Sequence, residues 1–255
     1  MSHTGQYADG RTYELPADWT PLDREVLIAA RDRARSAVSG DDAVDRLTSF
    51  YDRNSEYAGT SFLDVVPNPT DSVHAADLYA VSRLSMKISN LQGRLLLDKS
   101  EPDGPDARSR TEQLLASIPP EHTIGDLTPA LLRAMSYLYH HFRTLLEADV
   151  KGSNRWVFAA KLCARKRFQL FPVRDRVVCQ HLSGGQPLAG SGKQAHAGRL
   201  GWFTNDIQVF AYLATDAEVR ESLRALKGKA TARGVIVDDQ PLRLLDVLLW
   251  TRGKG

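Results

Sequence analysis

The chain has 255 residues, 42% of them hydrophobic and 25% charged, with a net charge of +2. That composition is ordinary for a globular protein with a real core and excludes a disordered or fibrous chain. The apolar runs fall far below the roughly 18 residues needed to span a bilayer, Met1 to Gly10 has no apolar signal core, and the two cysteines sit in no CxxC pattern; a cytoplasmic protein with no membrane partner and two buried free thiols is expected.

Taken in chain order, residues 1–19 read as a flexible lead-in to a single all-α domain, 20–255, with 20–98 and 109–255 as candidate sub-domains. Thr20-Pro21 pairs a capping residue with Pro at a first helical position, and Leu22, Val26, Leu27, Ala30 and Ala34 then repeat at helical spacing to about Val38. A second helix is expected from Asp42 to about Asp52, a loop over 55–71, and helices over Val73–Leu84 and Ile88–Leu97. Residues 99–107, rich in Pro, Gly and charge, read as a linker or mobile loop. A short helix near Glu112–Ile118 follows.

Thr128-Pro129 repeats the helix-start signature and opens the longest helix, to about Glu147. Helices are expected at 155–167 and 175–182, with Pro172 between them, then a Gly-rich stretch over 183–201 that reads as mobile. Helices near 203–213, 216–228 and 241–251 end the chain. No stretch shows strand alternation, and there is no internal repeat.

The small net charge conceals a segregation. Residues 151–202 hold ten basic residues, Lys151, Arg155, Lys161, Arg165, Lys166, Arg167, Arg174, Arg176, Lys193 and Arg199, against one acid, Asp175, a net +9. Residues 203–255 carry eight basic and seven acidic residues, +1, which leaves −8 for residues 1–150. A concentrated positive field suits an anionic partner, nucleic acid first and an acidic protein as the alternative. The competing explanation is internal: the acidic half packs on the basic half.

Familiar chemical motifs fail on inspection. Gly192-Lys193 lacks the upstream Gly of a phosphate loop, because position 187 is Pro, and lacks the following Ser or Thr, because position 194 is Gln. The seven histidines are scattered, and the adjacent pair His140-His141 diverges around a helix, so neither a metal site nor a cofactor is expected.

One stretch, 148–178, carries a candidate site. A turn, Lys151-Gly152-Ser153-Asn154, opens a new helix at Arg155, and free N–H groups at a helix start attract an anion. The helix ends in Arg165-Lys166-Arg167, cations that suit its C-terminal dipole, and Asp175 falls in the first turn of the next helix, where a carboxylate is favoured. The bland reading of Asp175 is a helix cap or an arginine partner, and that of Arg165-Lys166-Arg167 is a solvated helix end.

This stretch resembles the helix-hairpin-helix DNA glycosylase superfamily, in which a Gly-rich hairpin and a helix are followed by a catalytic Asp. Asp175 lies 18 residues after Val157, the position matching that family's lysine. Ala160-Lys161-Leu162, Ala164 to Arg167 and Phe171 to Asp175 are closer still to an uncharacterised family of actinobacterial proteins, a domain of unknown function; Ala75 to Ser82 and Leu244 to Trp250 are similar to it too. The first resemblance implies a compact all-α fold around a helix-hairpin-helix core. It also implies a monofunctional DNA N-glycosylase in which Asp175 is the catalytic carboxylate, acting on DNA rather than RNA. Lys151, Gly152, Arg155, Lys161, Arg165, Lys166, Arg167 and Arg176 would contact the nucleic acid. The departures are Val157 in place of the imine-forming lysine, which removes lyase activity, and Ser153 and Arg155 in place of the hairpin glycines. A non-catalytic nucleic-acid-binding module and a helical protein–protein adaptor are the alternatives.

Overall fold

The computed structural model describes residues 3–55, 57, 62–98, 107–146, 155–189 and 198–254. Over half of these are helical. The order is β1 (Thr4–Gln6), β2 (Thr12–Glu14), α1 (Arg24–Ser39), α2 (Ala43–Tyr51), α3 (Ala75–Ser82), α4 (Asn90–Leu97) and α5 (Ala107–Ala116). Then follow α6 (Pro129–Leu145), α7 (Arg155–Lys166), α8 (Arg176–Leu182), α9 (Phe203–Thr215), α10 (Ala217–Ala232) and α11 (Pro241–Lys254). The chain is thus mostly α-helical.

Several helix starts are fixed by side chains close in sequence. Thr128 accepts a hydrogen bond from the Leu131 N–H at 3.2 Å, with Pro129 at the first helical position of α6. Ser89 and Gln92 form a reciprocal capping box at α4, and Asp216 accepts from the Val219 N–H at the start of α10. Thr20-Pro21 does not start a helix. α1 begins at Arg24, and the Gln208 side chain binds both the Thr20 carbonyl and the Leu22 N–H, so the segment before it is held by tertiary contacts.

The lead-in is a correction. Residues 4–14 form an antiparallel hairpin, β1 against β2, with Gly5 opposite Tyr13. Tyr7, Tyr13, Leu15 and Trp19 are buried. The Tyr7 hydroxyl accepts from the Leu127 N–H at 2.8 Å, and the Ala8 N–H donates to Thr215. Strands of three residues are too short to leave a readable alternation. Gly5 is required here, because a Cβ would stand 2.3 Å from the Tyr13 ring.

One contiguous cluster of buried apolar side chains runs from Tyr7 to Leu249. At its centre lies α7, buried at every position from Val157 to Lys166 and packed on α6 and α3. α8 packs on α11 and α1. The α8–α11 approach is close because Gly253 has no side chain: a Cβ there would meet Val177 Cγ1 at 2.9 Å. Cys163 and Cys179 are buried free thiols. Of the expected linker 99–107, residues 99–106 lie outside the described residues and Ala107 begins α5; residues 147–154, which include the expected turn Lys151 to Asn154, and residues 190–197 of the Gly-rich stretch also lie outside them. The flanks of the last are tied together by the Ala189 N–H donating to Leu200 O at 2.7 Å. No helix among the described residues is long and apolar enough to cross a membrane.

Candidate active site

Arg165, Lys166 and Arg167, expected at a phosphate-binding surface, are buried. The Arg165 guanidinium donates to Asp77 at 3.0 Å, to the carbonyls of Phe62 and Leu63 at 2.7 Å and to that of Val65. Lys166 donates to Asp77 and Asn68 at 2.9 and 3.0 Å. Arg167 binds the carbonyls of Leu115, Ile118 and Thr70. The irregular segment 62–70 has no ladder for its carbonyls, and buried carbonyls need donors. Arg165 and Arg167, at the end of a central helix, supply them for Phe62, Leu63, Val65 and Thr70, while Lys166 binds the Asn68 side chain and Asp77, from the acidic half of the sequence, pairs with Arg165 and Lys166. Burial pushes the Lys166 and Arg167 pKa values down, against the pull of neighbouring carboxylates. In this fold the three side chains hold the chain to itself.

Arg174 is likewise buried. It pairs with Asp206, and its guanidinium lies 5.3–5.5 Å from the ring centroids of Tyr139, Trp156 and Phe203. Asp206 also accepts from the Gly201 N–H at 2.8 Å. Burial pushes the Asp206 carboxyl up, while Arg174 pulls it down. This anchor fixes the backbone immediately before Asp175. Asp175 is half-buried and caps α8, its Oδ1 accepting from the Val178 N–H at 2.9 Å. Its Oδ2 accepts nothing among the described residues, and no arginine among them pairs with it.

Asp175 opens on a cavity of about 440 Å³, within the roughly 300–1,000 Å³ usual for small-molecule sites. α7 contributes Val157 and Lys161, one turn apart, and α11 contributes Arg243, Asp246, Trp250 and Lys254. The α3–α4 connection contributes Arg83 to Met86, including Ser85 with its left-handed φ of 61°. Phe50, Tyr57 and Trp250 form an aromatic wall, with Phe50 and Tyr57 stacked at 5.4 Å and Trp250 edge-on to both.

The polar groups of the cavity are electrostatically unusual. Lys161 donates to the Leu84 carbonyl at 2.7 Å. Burial lowers its pKa to about 8, with Asp175 and Asp246 pulling the other way. Burial raises Asp246 to about 7, although Arg243 Nη1 donates to its Oδ1 at 2.6 Å. Arg243 is shared with Asp238, which also accepts from the Tyr51 hydroxyl at 2.7 Å. Burial thus displaces both groups of this cavity toward neutrality, Lys161 downward and Asp246 upward.

Arg176 is exposed and lines both the cavity and a shallower groove beside it, with Arg33, Arg252, His181 and the Gly184-Gly185 turn. Arg155 is half-buried at the start of α7. Lys151 and Gly152 lie outside the described residues. The structure therefore brings Asp175, Lys161 and Arg176 to one site and takes Arg165, Lys166 and Arg167 away from it. It adds Asp246, Arg243, Trp250, Lys254 and Arg83. Asp246 had a signal in the sequence, being the one acid inside an otherwise apolar run, Leu244 to Trp250. No group of His, Cys, Asp or Glu that could hold a metal ion occurs among the described residues.

A family model described as "Family of unknown function (DUF6308)" matches residues 43–253, which takes in every residue lining the cavity except Lys254 and leaves out the hairpin and α1. No curated protein and no solved structure matches the chain.

Proposed function

The chain belongs to the DUF6308 family of unknown function, and from its cavity we propose that it binds a nucleotide unit of DNA and hydrolyses the N-glycosidic bond with Asp175. The observation that carries this reading is the half-buried Asp175 carboxylate, anchored from behind by Arg174 and Asp206. It opens on a cavity with an aromatic wall and basic residues around it. The packed pair α6 and α7 would be the two helices of the helix-hairpin-helix-like element.

In this mechanism the target nucleotide is extruded from the duplex and its base enters the cavity. Phosphates lie along Arg176, Arg252 and Arg33, which take over the role expected of Arg165 to Arg167. As the C1′–N bond breaks, the electron pair leaves with the base, and Asp175 Oδ2 stabilises the positive charge developing on the sugar. A water then adds its oxygen to C1′. One of its protons passes to Asp175 and from there to the departed base anion, which restores the carboxylate and completes the addition of one water across the C1′–N bond. No lysine stands at position 157, so excision leaves an intact abasic site.

The test is base release from duplex DNA carrying a panel of damaged and modified bases. Wild type should release one class of base, and Asp175→Asn should abolish release while binding stays equal or tighter, since a negative charge near phosphate is removed. A wild type that binds DNA but releases nothing leaves the non-catalytic module. The observation favouring that reading is that Asp175 Oδ1 already serves as a cap.

A further inference from the structure

The cavity and the groove beside it meet at the start of α8. Arg176 and Val177, the first two residues of that helix, line both. Three arginines line the groove, Arg33 from α1, Arg176 from α8 and Arg252 from α11, and no carboxylate among the described residues does. Burial first, then Arg252, Arg33 and Arg46, holds His181 toward its neutral form against the pull of the Arg33 carbonyl. The charge of the groove is therefore that of its guanidiniums.

Arg33 is fixed in place. Its Nη1 donates to Leu182 O at 3.1 Å, and its guanidinium lies against Gly184, where a Cβ would stand 2.3 Å from Nη2. Gly184 also has a left-handed φ of 66°, so its backbone and the approach of the guanidinium both call for glycine. The arginines nearest to Arg33 on α1 and α2 are paired with carboxylates: Arg31 with Asp32, Arg35 with Asp216 and Glu218, and Arg46 with Asp42. Arg252 is also drawn to Asp42, at 3.3 Å. Arg33 and Arg176 form no ion pair among the described residues. Unpaired positive charge in the groove is thus confined to these two side chains.

A track for a nucleic-acid backbone neutralises several phosphates in succession. Two unpaired guanidiniums suit one phosphate group. We propose that the chain recognises a single nucleotide as its unit, with the base in the cavity and that nucleotide's own phosphate in the groove, where Arg176 and Arg33 meet its charge. A base and its phosphate are one sugar apart, and Arg176 stands where the two spaces meet. The aromatic wall of Phe50, Tyr57 and Trp250 supplies stacking for the base. A free mononucleotide is then a ligand without flanking DNA. This inference rests on the nucleotide reading of the cavity and names its smallest ligand.

The experiment measures binding of the four common 2′-deoxynucleoside 5′-monophosphates, of the matching nucleosides and of inorganic phosphate by calorimetry, in an Asp175→Asn background that prevents turnover. At least one monophosphate should bind at least about tenfold more tightly than its nucleoside and than inorganic phosphate, the gain expected of charge-assisted hydrogen bonds to one phosphate. Arg33→Gln should remove that gain and leave the affinity for the nucleoside unchanged. Arg176→Gln, at an exposed position, should do the same, and carries the test by itself if Arg33→Gln does not fold. Binding of no monophosphate, equal affinity for monophosphate and nucleoside, inorganic phosphate bound as tightly as the monophosphates, or a gain unchanged in both variants would overturn the inference. Failure of the function reading is separate. Phosphate-dependent binding of free nucleotides, with no base release from DNA by the wild type, leaves this inference standing and removes the hydrolysis; base release from DNA with no binding of a free nucleotide does the reverse.

Discussion

Arg165 and Asp77 are both closed off from solvent, with Nε and Oδ1 3.0 Å apart and 88 residues between them in sequence. Removing one partner strands the other in a low-dielectric interior. Arg165→Met should therefore cost about 3–5 kcal/mol, read as a lowered midpoint in chemical denaturation. A midpoint within error of the wild type would show that the pair is not held as described. Loss of nucleic-acid binding in this variant would report unfolding.

Salt-dependent binding to nucleic acid should follow the exposed groove. Arg176→Ala with Arg252→Ala should leave the melting temperature nearly unchanged, because both side chains reach solvent. The same double variant should flatten the logarithmic salt dependence of duplex binding by about one unit for each phosphate that is no longer neutralised. An unchanged slope would remove the groove from the interface.

The role of Asp175 as a cap can be separated from its proposed chemistry. Asp175→Asn retains a capping acceptor for the Val178 N–H and should be close to neutral in stability, whereas Asp175→Ala should cost about 1 kcal/mol. Equal melting temperatures for the two variants would mean that the cap contributes nothing.

Asp246 and Lys161 should shape the pH dependence of stability. Asp246 is raised to about 7 by burial, so the folded state holds a proton that the unfolded chain releases near the usual carboxylate range. Stability should then fall as pH rises from about 4 to about 7. Lys161 is lowered to about 8. Between about 8 and 10.5 the unfolded chain binds more protons, and stability should recover over that window. Asp246→Asn should flatten the first slope and Lys161→Met the second, as read by denaturation at a series of pH values. Slopes of the opposite sign would contradict the burial of these two groups.

Gly253 offers a test of the α8–α11 approach that shapes the cavity wall. Gly→Ala inside a helix ordinarily stabilises by up to about 1 kcal/mol. Here the added Cβ meets Val177 Cγ1 at 2.9 Å and His181 Cβ at 3.2 Å, so Gly253→Ala should lower the melting temperature. A gain would show that the helices part without cost.

What the sequence determined by itself was local. Apolar spacing at the helical period, the Thr128-Pro129 start and the punctuation at Pro172 each act within a turn or two, so the helices and most of their limits could be read directly. The position of Asp175 at a helix start is of the same kind, since its partner is three residues away. The tertiary structure decided which charges reach solvent. Arg165, Lys166, Arg167 and Arg174 are consecutive or nearly so in a +9 segment, and nothing local distinguishes them from Arg176. Their burial depends on Asp77, Asp206 and the carbonyls of 62–70, groups 32 to 103 residues distant. The hairpin lay hidden for a related reason: Tyr7 and Ala8 are held by Leu127 and Thr215, and only those distant partners make three-residue strands stable. The cavity is the fullest case, because α7, α8, α11 and the α3–α4 connection each supply groups to it, and only packing of the whole chain places Lys161, Asp175 and Asp246 around one space.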